Sequence, residues 1–267
     1  MNISSNQKLK LCAFAAISVS VIIVIAKIYA YFVSNSLSML ASMVDSALDC
    51  LASTMNFVAL IYALEPPDND HRYGHGKIQD LAVFGQSIFF LISGLYLIYS
   101  SIIKLIHGTH VVDASIGSYV MIFSTILTLM LVTLQTYVLK NNESGIIEAD
   151  RLHYLTDTLM NVAVIISLNI SYYFPKIDFL DSVFAIGIAY FILKNSYTLF
   201  IKAYKNLIDE ELDKESKEKI INILKSTKEV LGAHELKTRV AGHKIFIQFH
   251  IELNPDISLM EAHEICD

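Results

Sequence analysis

Two short stretches combine residue types and spacing that can hold a metal ion: Asp45-Ser-Ala-Leu-Asp49 and His153-Tyr-Leu-Thr-Asp157. Each places two ligand-bearing side chains at i and i+4, hence on one helix face, one turn apart. Both stretches sit inside long hydrophobic segments. An ionisable group in a membrane span is costly and persists where it faces the bundle interior and is paired, coordinated or wetted. The quartet Asp45, Asp49, His153 and Asp157 is enough for one four-coordinate cation. Oxygen donors with one imidazole suit Zn²⁺, Cd²⁺ or Fe²⁺ better than octahedral Mg²⁺ or thiolate-seeking Cu(I). Two rival readings are polar contacts that hold helices together and a relay that carries protons alone. Carboxylates converging without a cation would repel one another, which disfavours the first. Protons compete with a metal for these ligands, and histidine's ordinary pKa of about 6.5 puts that competition near physiological pH. Exchange of a divalent ion outward for protons inward is the expected chemistry.

A second group lies in the polar stretch Pro66-Pro-Asp-Asn-Asp-His-Arg-Tyr-Gly-His-Gly-Lys77. Asp68, His71 and His75 can converge within one tight loop, with Gly74 and Gly76 permitting the turn, and they form a second candidate metal site.

The elements that must carry these residues are hydrophobic helices. The chain is 54% hydrophobic and 17% charged, and its net charge is −6. The mean hydropathy is +0.50, unlike an ordinary soluble domain. Nothing in the charge pattern favours nucleic acid. Cys12, Cys50 and Cys266 lie far apart, so neither a disulfide framework nor a zinc knuckle is expected. Six apolar segments, 9–33, 36–64, 78–106, 115–139, 147–174 and 179–201, are each long enough to cross a bilayer core of about 30 Å. The first is too long for a signal peptide and reads as a retained span. Lys8, Lys10, Arg72, Lys77, Lys140, Lys202 and Lys205 fall on one side if the spans alternate, against Lys104 and Lys176 on the other. That bias predicts that both termini are cytoplasmic. Lys27 is expected to snorkel from the outer half of the first span. Lys77 is expected to pair with Asp209, and His107, His110 and His243 read as surface residues.

From position 208 onward the chain becomes polar. Ile220, Ile221, Leu224 and Leu231 recur at near-helical spacing, up to about Gly232. Segments 236–240 and 244–253 read as strands, the second with Ile245, Ile247, Phe249, Ile251 and Leu253 alternating on one face. Ser258-x-x-Glu261 is a capping box that opens a short helix. The expected organisation is a membrane domain over 1–207 and a small α/β domain over 208–267. The second unit reads as incomplete, or as completed by a partner, because two strands alone are marginal.

Taken together, the runs SLSMLASMVDSALD, EPPDNDHRYGHGK, ADRLHYLTD and GAHELKTR resemble the cation diffusion facilitator family of divalent metal–proton antiporters. The likeness is strongest to bacterial zinc/iron efflux members. The resemblance implies six transmembrane helices, a homodimer, and a C-terminal cytoplasmic domain of ferredoxin-like, metallochaperone-like shape. It implies a transport site for Zn²⁺, Cd²⁺ or Fe²⁺ at Asp45, Asp49, His153 and Asp157, and a second site at Asp68, His71 and His75. A binuclear cytoplasmic site would draw on His234, His250 and His263. Relatives continue into a further helix and strand with more ligands for that last site, so here the set is expected to be incomplete. The resemblance places the protein in a bacterial inner membrane. Rival classes are a membrane metalloenzyme, for which no HExxH is present, and a shortened relative that folds without cycling.

Overall fold

The computed structural model describes residues 5–34, 37–107, 115–173 and 180–266. Six long helices come first: α1 (Ser5–Ser34), α2 (Leu37–Ala63), α3 (Lys77–His107), α4 (Ser115–Leu139), α5 (Gly145–Tyr173) and α6 (Leu180–Leu207). A small unit follows, made of α7 (Lys214–Ser226), β1 (Gly232–Ala241), β2 (Lys244–Glu252) and α8 (Leu259–Cys266). Each apolar segment of the sequence is thus a helix. Four of them, within α1, α2, α3 and α4, are long and apolar enough to cross a membrane among the described residues. Helix α5 spends part of its length on Glu148, Asp150, Arg151, His153 and Asp157, and α6 carries Asp181, Lys194, Lys202 and Lys205. His110 and Lys176 lie outside the described residues.

Helix α3 packs mainly on α6, while α1 packs on α2 and α4, and α4 on α5. The apolar core at the end nearest the α/β unit joins Leu9, Leu60, Val83, Phe90, Leu152 and Leu199. Bulky side chains on the outer faces, such as Phe89, Ile92, Tyr96 and Met130, are left exposed. In a membrane protein such a surface is solvated by lipid tails, so its exposure carries no penalty. Backbone satisfaction inside each helix is what makes the arrangement tolerable in a bilayer.

Polar side chains bind the helices where apolar packing could not specify register. Asp150 on α5 is buried and accepts hydrogen bonds from Asn56 on α2 (3.2 Å) and Gln135 on α4 (2.7 Å). Ser53 donates to the same carboxylate at 3.4 Å and shares a 2.7 Å hydrogen bond with Tyr154. Ser5 bonds Asn142, joining the start of α1 to the α4–α5 turn.

Helix α6 ends in a left-handed turn at Asp209 (φ 58°), and the Glu210 N–H closes back on the Lys205 carbonyl. Lys77 Nζ donates to the orphan carbonyls of Asn206 and Leu207 and meets Asp209 at 2.7 Å, as the sequence led us to expect. Arg239 of β1 reaches the same carboxylate at 3.7 Å. Its guanidinium lies 4.1 Å over the Tyr73 ring and 5.1 Å over Phe246. Asp80, buried, accepts from Asn206 Nδ2 (2.8 Å) and from the Gly242 N–H (2.9 Å) in the β1–β2 turn. Gly242 has φ +62° and abuts the Gly76 carbonyl, so the loop at 64–76 and the hairpin turn meet backbone to backbone. Only glycine fits that seam.

Strands β1 and β2 pair antiparallel, with His234 opposite His250 and an irregularity between His234 and Lys237, where Glu235 has φ 52°. β1 contains the expected 236–240 and starts four residues earlier, and β2 matches the expected 244–253 to within one residue. On the alternating apolar face Ile245, Ile247 and Phe249 are exposed, while Phe246 on the other face is half-buried against Tyr73. β1 packs on α7 and on the ends of α3 and α6, which leaves much of β2 without a covering element among the described residues. Asp213 caps α7 by accepting from the Ser216 N–H, and Ser258 and Glu261 form the expected reciprocal box at α8.

Gly242→Ala should strain the turn and press on the Gly76 carbonyl, costing about 1–3 kcal/mol. Hydrogen exchange should then quicken at 239–246 and at 70–77 and stay unchanged in α1. The Ser216 N–H holds the Asp213 carboxyl below the usual range, and the Ser258 N–H does the same for Glu261. A lowered folded pKa gives stability that is present above the unfolded value (about 4) and lost as pH falls through the folded one. Exchange protection of α7 and α8 should therefore drop below about pH 4, and Asp213→Asn should blunt that dependence for α7.

Candidate metal centres

Helices α2 and α5 meet along a sparse contact, and there the first ligand group assembles. His153 Nε2 lies 3.0 Å from Asp49 Oδ1 and 3.6 Å from Asp157 Oδ2. A tetrahedral ion with bonds of about 2.0–2.1 Å separates its ligands by about 3.3 Å, so these edges bracket the required size. All three ligand atoms lie within 4.8 Å of one another. His153 Nε2 is buried and has no properly oriented hydrogen-bond partner, despite the nearby carboxylates. An orphaned buried nitrogen facing two carboxylates is what a cation slot looks like. Phe90 of α3 stacks on the imidazole, ring centres 5.6 Å apart.

Asp45, the fourth expected ligand, is not in this trio. It is exposed and lines the same cavity. The way α2 is turned against α5 brings Asp49, one turn further along, to His153 and leaves Asp45 beside the trio. The cavity, about 210 Å³, also includes Ser20, Lys27, Ser46, Ser124, Thr128, Tyr154 and Asn161. It extends from the trio toward the end of the bundle opposite the α/β unit.

Lys27 does not snorkel outward. Its Nζ donates to Ser46 Oγ (2.6 Å) and the Ser42 carbonyl (3.2 Å), inside the bundle. Two features escaped the sequence reading: this lysine's inward turn and the Asp150 network one turn from His153. An acidic residue at i−3 to the histidine was visible, but nothing in the sequence pointed to its amide and hydroxyl donors on α2 and α4.

The second group forms within the loop at 64–76. Asp68 Oδ1 accepts from the backbone N–H groups of His71 (2.5 Å) and Asp70 (3.0 Å), which fold the loop around it. The His71 N–H above all, with the Asp70 N–H, holds the Asp68 carboxyl below its usual range, so the ligand is ready ionised. His71 Nδ1 sits 3.2 Å from Asp68 Oδ1, and His75 Nε2 sits 3.4 Å from Asp68 Oδ2. Gly74, at φ +80°, turns the chain against Pro67. His75 is buried against Tyr62, and its Nδ1 has no partner. The three expected residues are together, again at ligand-to-ligand spacing.

The third expected group is not assembled. His234 and His250 face each other across the hairpin, ring centres 5.5 Å apart, with Glu252 3.5 Å from His234 and Glu235 4.0 Å from His250. His263 does not join them, and among the described residues no third ligand completes a metal-sized group there. Helix α8 has no substantial packing partner to bring His263 across.

Residues 13–208 match the family model for the cation efflux transmembrane domain, and residues 212–267 match that for the cation efflux protein, cytoplasmic domain. The chain is 46% identical over 267 residues to Protein p34 of Rickettsia prowazekii (strain Madrid E), covering all of this chain and 88% of that protein. It is 41% identical over 258 residues to the cation-efflux pump FieF of Shewanella oneidensis, covering 97% of this chain and 86% of the pump. Against the FieF pump of Escherichia coli (strain K12 / DH10B) it is 36% identical over 267 residues, covering 100% and 88%. A bundle with apolar membrane-length helices, two carboxylates and an imidazole at cation spacing between two of them, and family matches along nearly the whole chain leave one assignment: the protein belongs to the cation diffusion facilitator family of membrane-spanning cation-efflux transporters and is not an enzyme.

Proposed function

We propose that the protein exports Zn²⁺, or Fe²⁺ or Cd²⁺ of similar ligand preference, from a bacterial cytoplasm in exchange for protons. The ion binds between α2 and α5 at Asp49, His153 and Asp157, with Asp45 supplying the fourth ligand when α2 shifts to close on it. The observation that carries this reading is the orphaned His153 Nε2 between two carboxylates, at the edge lengths of a small tetrahedral ion. An imidazole with two oxygens favours Zn²⁺ and its neighbours over Mg²⁺.

All six long helices cross the inner membrane in this reading, with both termini in the cytoplasm. The membrane domain is 1–207 and the cytoplasmic domain 208–267. Two copies work as a homodimer. The cavity beyond the trio, on the side away from the cytoplasmic domain, together with the apolar core around Leu60, Val83 and Leu152 on the near side, fits a state facing outward. Reopening on the cytoplasmic side requires α2 and α5 to part from α3. Proton coupling follows from the ligands: metal binding needs three carboxylates and an imidazole free of protons, so each bound ion expels protons and each proton weakens the ion. The loop site at Asp68, His71 and His75 takes a second ion of the same class at the seam with the cytoplasmic domain. His234 and His250 contribute cytoplasmic ligands only if His263 or a partner subunit approaches them.

Two experiments test this. In proteoliposomes of the full chain with a pH-sensitive dye inside, Zn²⁺ flux should be accompanied by counter-movement of protons. Asp157→Ala should lower flux by more than about tenfold, and metal affinity of the wild type should fall as the medium is acidified. Flux that survives Asp157→Ala, or pH-independent affinity, sinks the reading. For the loop site, equilibrium dialysis on a protein already carrying Asp157→Ala should detect one remaining ion per chain, lost on His75→Ala. Stoichiometry unchanged by His75→Ala would remove the loop from the set of metal sites.

A further inference from the structure

The transport cavity contains a cation of its own, which is not one of the groups that would ligate the metal. Lys27 comes from α1, enters the α2 side of the cavity and is held there by Ser46 Oγ at 2.6 Å and the Ser42 carbonyl at 3.2 Å. Both acceptors are neutral. The carboxylates of Asp45, Asp49 and Asp157 all lie within electrostatic reach of its ammonium, yet no ion pair with them forms. Among the described residues that line the cavity, Lys27 is the only lysine or arginine; the remainder are acidic, hydroxyl, amide, tyrosine or apolar. A lysine whose task was anchoring at the membrane surface would extend to the headgroups. This one points inward.

Its position has two electrostatic consequences. With no metal bound, three carboxylates face one another in a bundle of low dielectric, and a fixed positive charge offsets part of their repulsion. With a divalent ion in the trio, the same charge repels the ion across the cavity. Ser42 and Ser46 matter because they hold the ammonium on the α2 wall, near enough to act on the ion and displaced from the trio itself. The cavity segment it occupies lies between the trio and the end of the bundle away from the cytoplasmic domain, on the side to which the cavity extends.

We infer that Lys27 is a built-in counter-cation of the transport site, which stabilises the metal-free cavity and holds affinity for the divalent ion low enough for release. The inference rests on the reading of Asp49, His153 and Asp157 as the transport site and deepens it. Lys27 is a positioning and affinity-setting residue and never a ligand. Ser46 is the group that tethers it.

The test is Zn²⁺ titration of the full-length protein in detergent, with His75→Ala present throughout to silence the loop site. Lys27→Met should bind Zn²⁺ roughly tenfold tighter or more and show slower flux in proteoliposomes, while Lys27→Arg keeps affinity near the parent's. Thermal unfolding gives a second readout: Lys27→Met should melt lower than the parent without metal and gain more from added Zn²⁺. A merely structural lysine would lower both melting points together. Lys27→Gln serves the same purpose if the methionine variant does not fold, and Ser46→Ala should shift affinity in the same direction by a smaller factor. Unchanged or weaker Zn²⁺ binding in Lys27→Met and Lys27→Gln overturns the inference. Asp157→Ala in the same background separates the two readings. Affinity lost there but unaltered by Lys27→Met defeats the counter-cation alone, and affinity retained there defeats the transport site and the counter-cation with it.

Discussion

Negative charge confined in a low-dielectric bundle is the constraint around which this molecule is built. Asp45, Asp49 and Asp157 line one cavity beside His153, and carboxylates at such spacing are tolerable only with compensating positive charge, protons or polar contacts. The molecule uses each of these in a different place. Asp150 is stabilised by neutral donors from three side chains. Lys27 contributes a fixed charge, and under the proposed function the trio is left to a mobile cation. The difference between a satisfied carboxylate one turn away and an unsatisfied nitrogen in the trio separates scaffold from site.

Packing is distributed to match. Helix α3 is joined firmly to α6, and α1 to α2, whereas α2 and α5 touch over a short stretch. An ion held between two helices that otherwise adhere weakly can decide how close they stand. Its own bonds then stand in for van der Waals contact that the sequence leaves out. The polar links among α2, α4 and α5 keep their register while allowing that gap.

At the end of the bundle nearest the α/β unit, the loop at 64–76 sits between the long helices and the hairpin. Asp80 ties α3, α6 and the β1–β2 turn through two hydrogen bonds, and Arg239 lies over Tyr73 while reaching Asp209. The loop that carries Asp68, His71 and His75 therefore cannot change shape without disturbing the hairpin. Exposed ion pairs such as Lys77–Asp209 contribute only about 0.2–1 kcal/mol each. The glycine seam and the buried Asp80 hold the joint, because a buried acceptor removed leaves two donors unpaired.

Much of this was legible in the residues. Hydrophobic length set the helices, and Asp68, His71 and His75 are close in sequence, so a single loop brings them together with little help from the rest of the fold. The i, i+4 pairing of His153 and Asp157 also survived folding, as did the Lys77–Asp209 pair and the box at Ser258 and Glu261. These are local or near-local relations, and local geometry carries them. Tertiary structure alone decided what depends on how rigid helices rotate against one another: that Asp45 stands outside the trio, that Lys27 turns inward to Ser46, and that Asp150 finds Asn56 and Gln135. It also decided that His263 stays apart from His234 and His250 and that Ile245 and Ile247 remain uncovered. A helix's sequence states which face is polar; only its neighbours determine what that face meets.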